Sequence, residues 1–146
     1  MNKISKKLLA CVLVAVGLTS VHGGNVVVQE GIVEGETFKG TSCTAGGTRA
    51  VALGGGTEAT NTDCTALGYD TSATGQRSTA MGRATTASGP YSTAMGYYTT
   101  ASGSSATAMG NHTTASGNSN TAIGYYTTAG TASYTTAIGK SFTNNL

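Results

Sequence analysis

The chain has 146 residues, 22 of them glycine, with no tryptophan, two phenylalanines and only 10% charged side chains. Its nominal charge of +2 comes from the N-terminal lysines. Beyond residue 23, five cations (Lys39, Arg49, Arg77, Arg83, Lys140) face six anions (Glu30, Glu34, Glu36, Glu58, Asp63, Asp70), a net −1 that leaves no basic patch for nucleic acid.

Lys3, Lys6 and Lys7 precede an apolar run of 11 residues, Leu8 to Leu18, and Val21-His22-Gly23 places small residues around a cut before Gly24. That is the pattern of a secretory signal over 1–23, and its apolar run is too short to cross a bilayer. A buried N-terminal helix is the alternative, but no other helix-period segment exists for it to pack on. A faint lipoprotein box at Leu8-Leu9-Ala10-Cys11 is rejected, because cutting there would leave an apolar mature N-terminus. The mature chain is thus expected outside the cell or on its surface, with no membrane span of its own. Residues 24–40, with Val26-Val27-Val28, Glu30, Glu34 and Glu36, are expected to cap the next segment, their charges discouraging edge pairing.

From residue 41 to 139 one pattern repeats. An apolar residue followed by glycine recurs at Leu53-Gly54, Leu67-Gly68, Met81-Gly82, Met95-Gly96, Met109-Gly110 and Ile123-Gly124, each step 14 residues, and after 15 more at Ile138-Gly139. A second glycine follows seven positions later at Gly75, Gly89, Gly103 and Gly117, with Gly47 in phase. Asn61 and Ala132 replace two members of that column; asparagine is the non-glycine residue that best accepts a left-handed turn.

Between the glycines, small residues alternate with larger ones at strand period. Thr85, Ala87, Ser92 and Ala94 share one phase, as do Thr99, Ala101, Ala106 and Ala108. Two short segments per repeat, facing each other through side chains this small, predict an all-β parallel solenoid of flattened two-strand coils. About seven coils at ~4.8 Å each make a rod some 30–35 Å long. Collagen and calcium-binding nonapeptide solenoids are excluded: glycine does not recur at every third residue, and no Asp follows Asp70.

The opposite phase faces outward and divides the rod. One face carries Thr79/Met81, Thr93/Met95, Thr107/Met109 and Thr121/Ile123; the other carries Thr86/Ser88, Thr100/Ser102 and Thr114/Ser116. The column Leu67, Met81, Met95, Met109, Ile123 and Ile138 has no room inside so thin a coil, so it reads as an association face; a harmless exposed column is the alternative.

Candidates for chemistry are few. His112 is the one histidine after the leader and has no acid in its own or neighbouring repeats, so no Ser/His/Asp constellation is predicted. One His and two separated Cys do not make a metal site, and Gly54-Gly55-Gly56 lacks the Lys of a phosphate loop. No enzyme, metal or cofactor is expected. All seven tyrosines fall at turn offsets, and Tyr97, Tyr98, Tyr125 and Tyr126, with Arg83 and His112, form a candidate surface-binding strip. Packing of the turns on one another is the alternative role for them. Cys43 and Cys64, one and a half coils apart, are expected not to pair.

Ser78 to Gly96, STAMGRATTASGPYSTAMG, resembles the head repeats of YadA-like trimeric autotransporter adhesins, and the resemblance runs from Gly40 to Gly139. It implies a left-handed β-roll and a homotrimer with the apolar column at its axis. It also implies adhesion to host, cell or matrix surfaces through protein or glycan partners. No heptads and no barrel strands follow Gly139, so outer-membrane association is expected only through an anchor this chain lacks. Residues 140–146 are expected to close the roll, with Phe142 plugging its end. A structural fibre module, or an ice- or mineral-binding solenoid using the Thr/Ser array, is the competing function.

Overall fold

The computed structural model describes residues 42–145; the signal and N-terminal cap expected over 1–40 lie outside the described residues. Thirteen strands follow in order. The first six are β1 (Thr44–Ala45), β2 (Val51–Leu53), β3 (Glu58–Ala59), β4 (Thr65–Tyr69), β5 (Ser72–Ala73) and β6 (Thr79–Arg83). Then come β7 (Thr86–Ala87), β8 (Thr93–Tyr97), β9 (Thr100–Ala101), β10 (Thr107–Asn111), β11 (Thr114–Ala115), β12 (Thr121–Ala129) and β13 (Thr136–Asn144). Even-numbered strands pair only with even ones and odd with odd until β12, always in parallel, so the chain is a β-solenoid of two-strand coils. The two strands of a coil are unequal: five residues on the face with the apolar column, two on the hydroxyl face. β12 and β13 run through the turn and belong to both faces.

The register steps by 14, as in Met81↔Met95 and Ala87↔Ala101, up to the last coil, where Thr121 pairs with Thr136. Inward slots hold Thr85, Ala87, Ser92 and Ala94, each at most 1% exposed, and the same types recur along the rod. The interior is therefore alanine methyls and hydroxyls, without a large aliphatic side chain. A buried methyl contributes only about 0.8 kcal/mol, so coil-on-coil hydrogen bonding and close packing carry the fold.

Both glycine columns exist because of that close packing. A Cβ on Gly96 would collide with the carbonyl oxygen of Gly110 in the next coil, and Gly96 also has φ 128°. Gly89 meets the carbonyl of Gly103 in the same way but is not left-handed. The left-handed turn anticipated at the second column, and at Asn61, is thus corrected. Asn61 instead donates its amide to the Thr74 carbonyl at 3.1 Å and its backbone N–H to Cys64 Sγ at 3.3 Å. Left-handed backbone lies at the variable turn residues, among them Tyr91, Tyr98, His112 and Tyr126. Cys64 is a buried free thiol that donates to the Asn61 carbonyl at 2.8 Å, so it does not bridge to Cys43.

The extra residue of the last full coil sits in Gly130–Ser133, since Tyr134 N–H reaches Asn118 where Ser119 N–H reaches Ser104. Asn120, wholly buried in a slot that elsewhere holds Ala, Cys, Ser or Thr, spans the mismatch. Its amide donates to the Gly130 carbonyl at 2.6 Å and its Oδ1 accepts from Thr135 N–H at 2.9 Å. Residues 140–144 continue β13, and Phe142 pairs with Thr127, in the inward column at the end of the roll, 46% exposed. Among the described residues no helix is long and apolar enough to cross a membrane.

Two buried polar positions differ in sign. Asn120→Ala leaves the Thr135 N–H unpaired, while the Gly130 carbonyl still accepts from Gly117 N–H at 2.9 Å, and is expected to cost about 1–3 kcal/mol. The Thr99 hydroxyl is buried without a hydrogen-bond partner, so the isosteric Thr99→Val is expected to stabilise by roughly 1 kcal/mol. Thermal melting of the two variants against wild type checks both signs.

Candidate functional site

The turn that leaves each five-residue strand builds one edge of the rod. The parallel register stacks the strand-end residues in a column: Tyr69, Arg83, Tyr97, Asn111, Tyr125 and Lys140. Tyr69 and Tyr97 are thus the ends of strands, and Tyr125 lies within β12, where the sequence had suggested turns. The next residue in each coil is Asp70, Ala84, Tyr98, His112, Tyr126 and Ser141, each with φ between 50° and 52°. Their N–H groups are held by the preceding coil, as in Tyr98 N–H to the Arg83 carbonyl at 3.0 Å. For a residue with a Cβ this backbone costs roughly 1–2 kcal/mol, so Tyr98 and Tyr126 stand in positions that glycine or asparagine would fill at less strain.

All six residues of the candidate strip come together on this edge. The Arg83 guanidinium lies 5.7 Å from the Tyr69 ring and 5.5 Å from the Tyr97 ring. Tyr97 meets Tyr98 edge-on at 4.5 Å. His112 is sandwiched: its ring lies 5.1 Å from Tyr98 and 4.5 Å from Tyr126, with interplanar angles of 20° and 10°. Its Nδ1–H donates to Asn111 Oδ1 at 2.6 Å, which fixes the ring's orientation. Tyr126 meets Tyr125 at 4.6 Å, and Lys140 Nζ lies 5.9 Å from the Tyr125 ring. The result is one continuous ladder from Tyr69 to Lys140. Tyr98 and Tyr126 keep about half their surface exposed. Such π-faces with cations between them contact apolar and anionic groups at once.

Lys140 was not singled out in the sequence because residues 140–146 read as the C-terminal cap. Counting from Ile138-Gly139 would have found it. The opposite edge carries a second ladder that sequence reasoning also missed, although Arg49, Asp63, Arg77 and Tyr91 are spaced 14 apart. Arg49 donates to both Asp63 carboxylate oxygens, at 2.5 and 2.7 Å. Arg77 lies 3.6 Å from Asp63 and donates to the Tyr91 hydroxyl at 2.6 Å. The hydrogen bond from Arg49 holds the Asp63 carboxyl below its ordinary range, and the two guanidinium charges add to that.

The candidate association column stacks in register from Leu67 through Met81, Met95, Met109 and Ile123 to Ile138. All but Ile138 are half-buried; Ile138 is 64% exposed. The third surface, Ser72, Thr86, Thr100, Thr114 and Thr128, is an aligned hydroxyl column.

Residues 45–71, 73–99 and 101–127 each match the family described as the YadA head domain repeat (2 copies), together more than half of the chain. No curated protein matches it.

A carboxyl depressed in the folded state contributes stability that is present above its unfolded pKa and lost as pH falls through the folded one. Wild type is therefore expected to lose more melting temperature than Asp63→Asn as the pH falls below about 4. Parallel thermal melts across that range measure the difference.

Proposed function

We propose, from the premise that this chain belongs to the YadA head-repeat family, that it is an exported adhesin head that assembles as a homotrimer and grips a host, cell or matrix surface through its aromatic edge. Adhesin-type function follows from the family; the edge, the assembly and export by residues 1–23 are the proposal. The observation that carries the choice of edge is the His112 sandwich between Tyr98 and Tyr126. Three ring-bearing residues accept left-handed backbone to make one exposed stacked surface. The same backbone recurs at Asp70, Ala84 and Ser141, so the turn belongs to the fold, and what distinguishes these three consecutive coils is the rings they carry there.

Assembly is supported by the apolar column. A single roll buries only small side chains, while an unbroken row of Leu, Met and Ile runs along one sheet. Covering each such side chain contributes roughly 1.5–3 kcal/mol, so one sealed axis outweighs what the interior gains from several methyls. Three edges would then face outward, and simultaneous contacts would multiply a weak single one.

Two variants test the halves of this proposal separately. Met95→Asp is expected to set carboxylates against one another at the axis and to dissociate or unfold the particle, read by sedimentation. A wild-type chain that sediments as a stable folded monomer contradicts the trimer. Changing Tyr97, Tyr98, Tyr125 and Tyr126 to Ser is expected to leave the oligomer intact and abolish coating of the target surface. If coating persists, the edge is scaffold and the aligned hydroxyl column becomes the next candidate.

A further inference from the structure

The edge has an order finer than its aromatic content. Along the strand-end column the residues alternate: Tyr69, Arg83, Tyr97, Asn111, Tyr125, Lys140. A tyrosine recurs every second coil, and between tyrosines stands a cation or, at Asn111, a polar group beside His112. Two coils are about 10 Å along the rod.

Beyond Asp70, which stands at the N-terminal end of this edge with its carboxylate against Gly56 of the preceding coil, the charge on this edge is cationic. Among the described residues Arg49 and Arg77 both turn to Asp63 on the opposite edge, whereas Arg83 and Lys140 have only tyrosine rings beside them. No Asp or Glu follows Asp70 in the sequence. Arg83 is held between two rings, with its guanidinium donors unclaimed by any carboxylate among the described residues. A guanidinium oriented in this way is prepared to bind a carboxylate or sulfate by paired, charge-assisted hydrogen bonds.

Taking the aromatic edge as the adhesive surface, we propose that its ligand is a linear acidic polysaccharide bearing one negative group on every second sugar, laid along the rod. A pyranose linked through equatorial oxygens advances a chain by roughly one strand spacing, so a disaccharide matches the two-coil period. The C–H faces of the uncharged sugars would lie on Tyr69, Tyr97 and Tyr125, and the acid groups would meet Arg83, Lys140 and the Asn111–His112 position between them.

The test uses the full chain and three immobilised polymers: hyaluronan (a carboxylate per disaccharide), keratan sulfate (sulfate without carboxylate) and carboxyl-reduced hyaluronan (neutral). At least one acidic polymer is expected to be captured, roughly tenfold more tightly than the neutral one, and to be released as salt rises. Which acidic polymer is held identifies the acid group. Arg83→Gln and Lys140→Gln are expected each to weaken capture by about tenfold at unchanged melting temperature, and Arg83→Lys to retain most of it. Substitution at this slot is tolerated by the fold, which already places Asn111 there. Should a variant nevertheless melt early, the salt titration and neutral polymer decide on wild type alone. Equal capture of the neutral and acidic polymers, or capture of none, overturns the inference. If none is captured while the four-tyrosine variant still loses surface coating, the adhesive edge stands and only the acidic glycan falls.

Discussion

Coil stacks on coil at the spacing of a parallel β-ladder, and where glycines of one coil face carbonyls of the next there is no space for a Cβ. The remaining features follow from that contact. Coils this close and this flat admit only Ala, Thr, Ser, Cys and Asn between their faces. A core of methyls and hydroxyls gives little hydrophobic stabilisation, so the ladder must be nearly unbroken. Where the repeat lengthens by one residue, Asn120 pairs the Thr135 N–H that the mismatch would orphan.

The same stacking sorts what lies outside. A strict register converts one position of the repeat into a column, so a residue type chosen at that position becomes a surface. Leu, Met and Ile make a row suited to a second copy; Thr and Ser make an aligned hydroxyl row; the two turns make the edges. Only the edges vary freely. There the fold tolerates Asp70, Ala84, Tyr98, His112 and Tyr126 at one left-handed site, and that freedom is where binding chemistry has room to be written. The edges differ: one neutralises its arginines on Asp63, and the other leaves Arg83 and Lys140 against tyrosine rings.

Much of this was legible from spacing. A 14-residue period yields a register directly, and alternation within it separates the inward Thr85, Ala87, Ser92 and Ala94 from the outward Thr93 and Met95. The candidate strip of Arg83, Tyr97, Tyr98, His112, Tyr125 and Tyr126 could be aligned by counting. What counting could not supply was backbone conformation. Glycine serves both left-handed φ and close approach, and a single sequence does not distinguish the two, so the role of the Gly89 column was misread. Nor does spacing reveal that a tyrosine rather than a glycine carries positive φ. Lys140 escaped notice because it reads as part of the cap that closes the roll, although β13 continues through it, and the stacking order of the rings depends on side-chain rotamers.

Both edges carry exposed tyrosines, with Tyr91 on one matching Tyr98 and Tyr126 on the other at about half exposed, which permits an internal comparison within one molecule. Hydroxyl-radical footprinting of the chain, free and bound to a surface it coats, reads each tyrosine separately by mass spectrometry. Binding through the ladder predicts protection of Tyr97, Tyr98, Tyr125 and Tyr126 on the surface, with Tyr91 and Tyr134 oxidised as in solution. Protection of Tyr91 and Tyr134 instead, or equal oxidation of both edges in the free and bound states, would contradict the assignment of the adhesive edge.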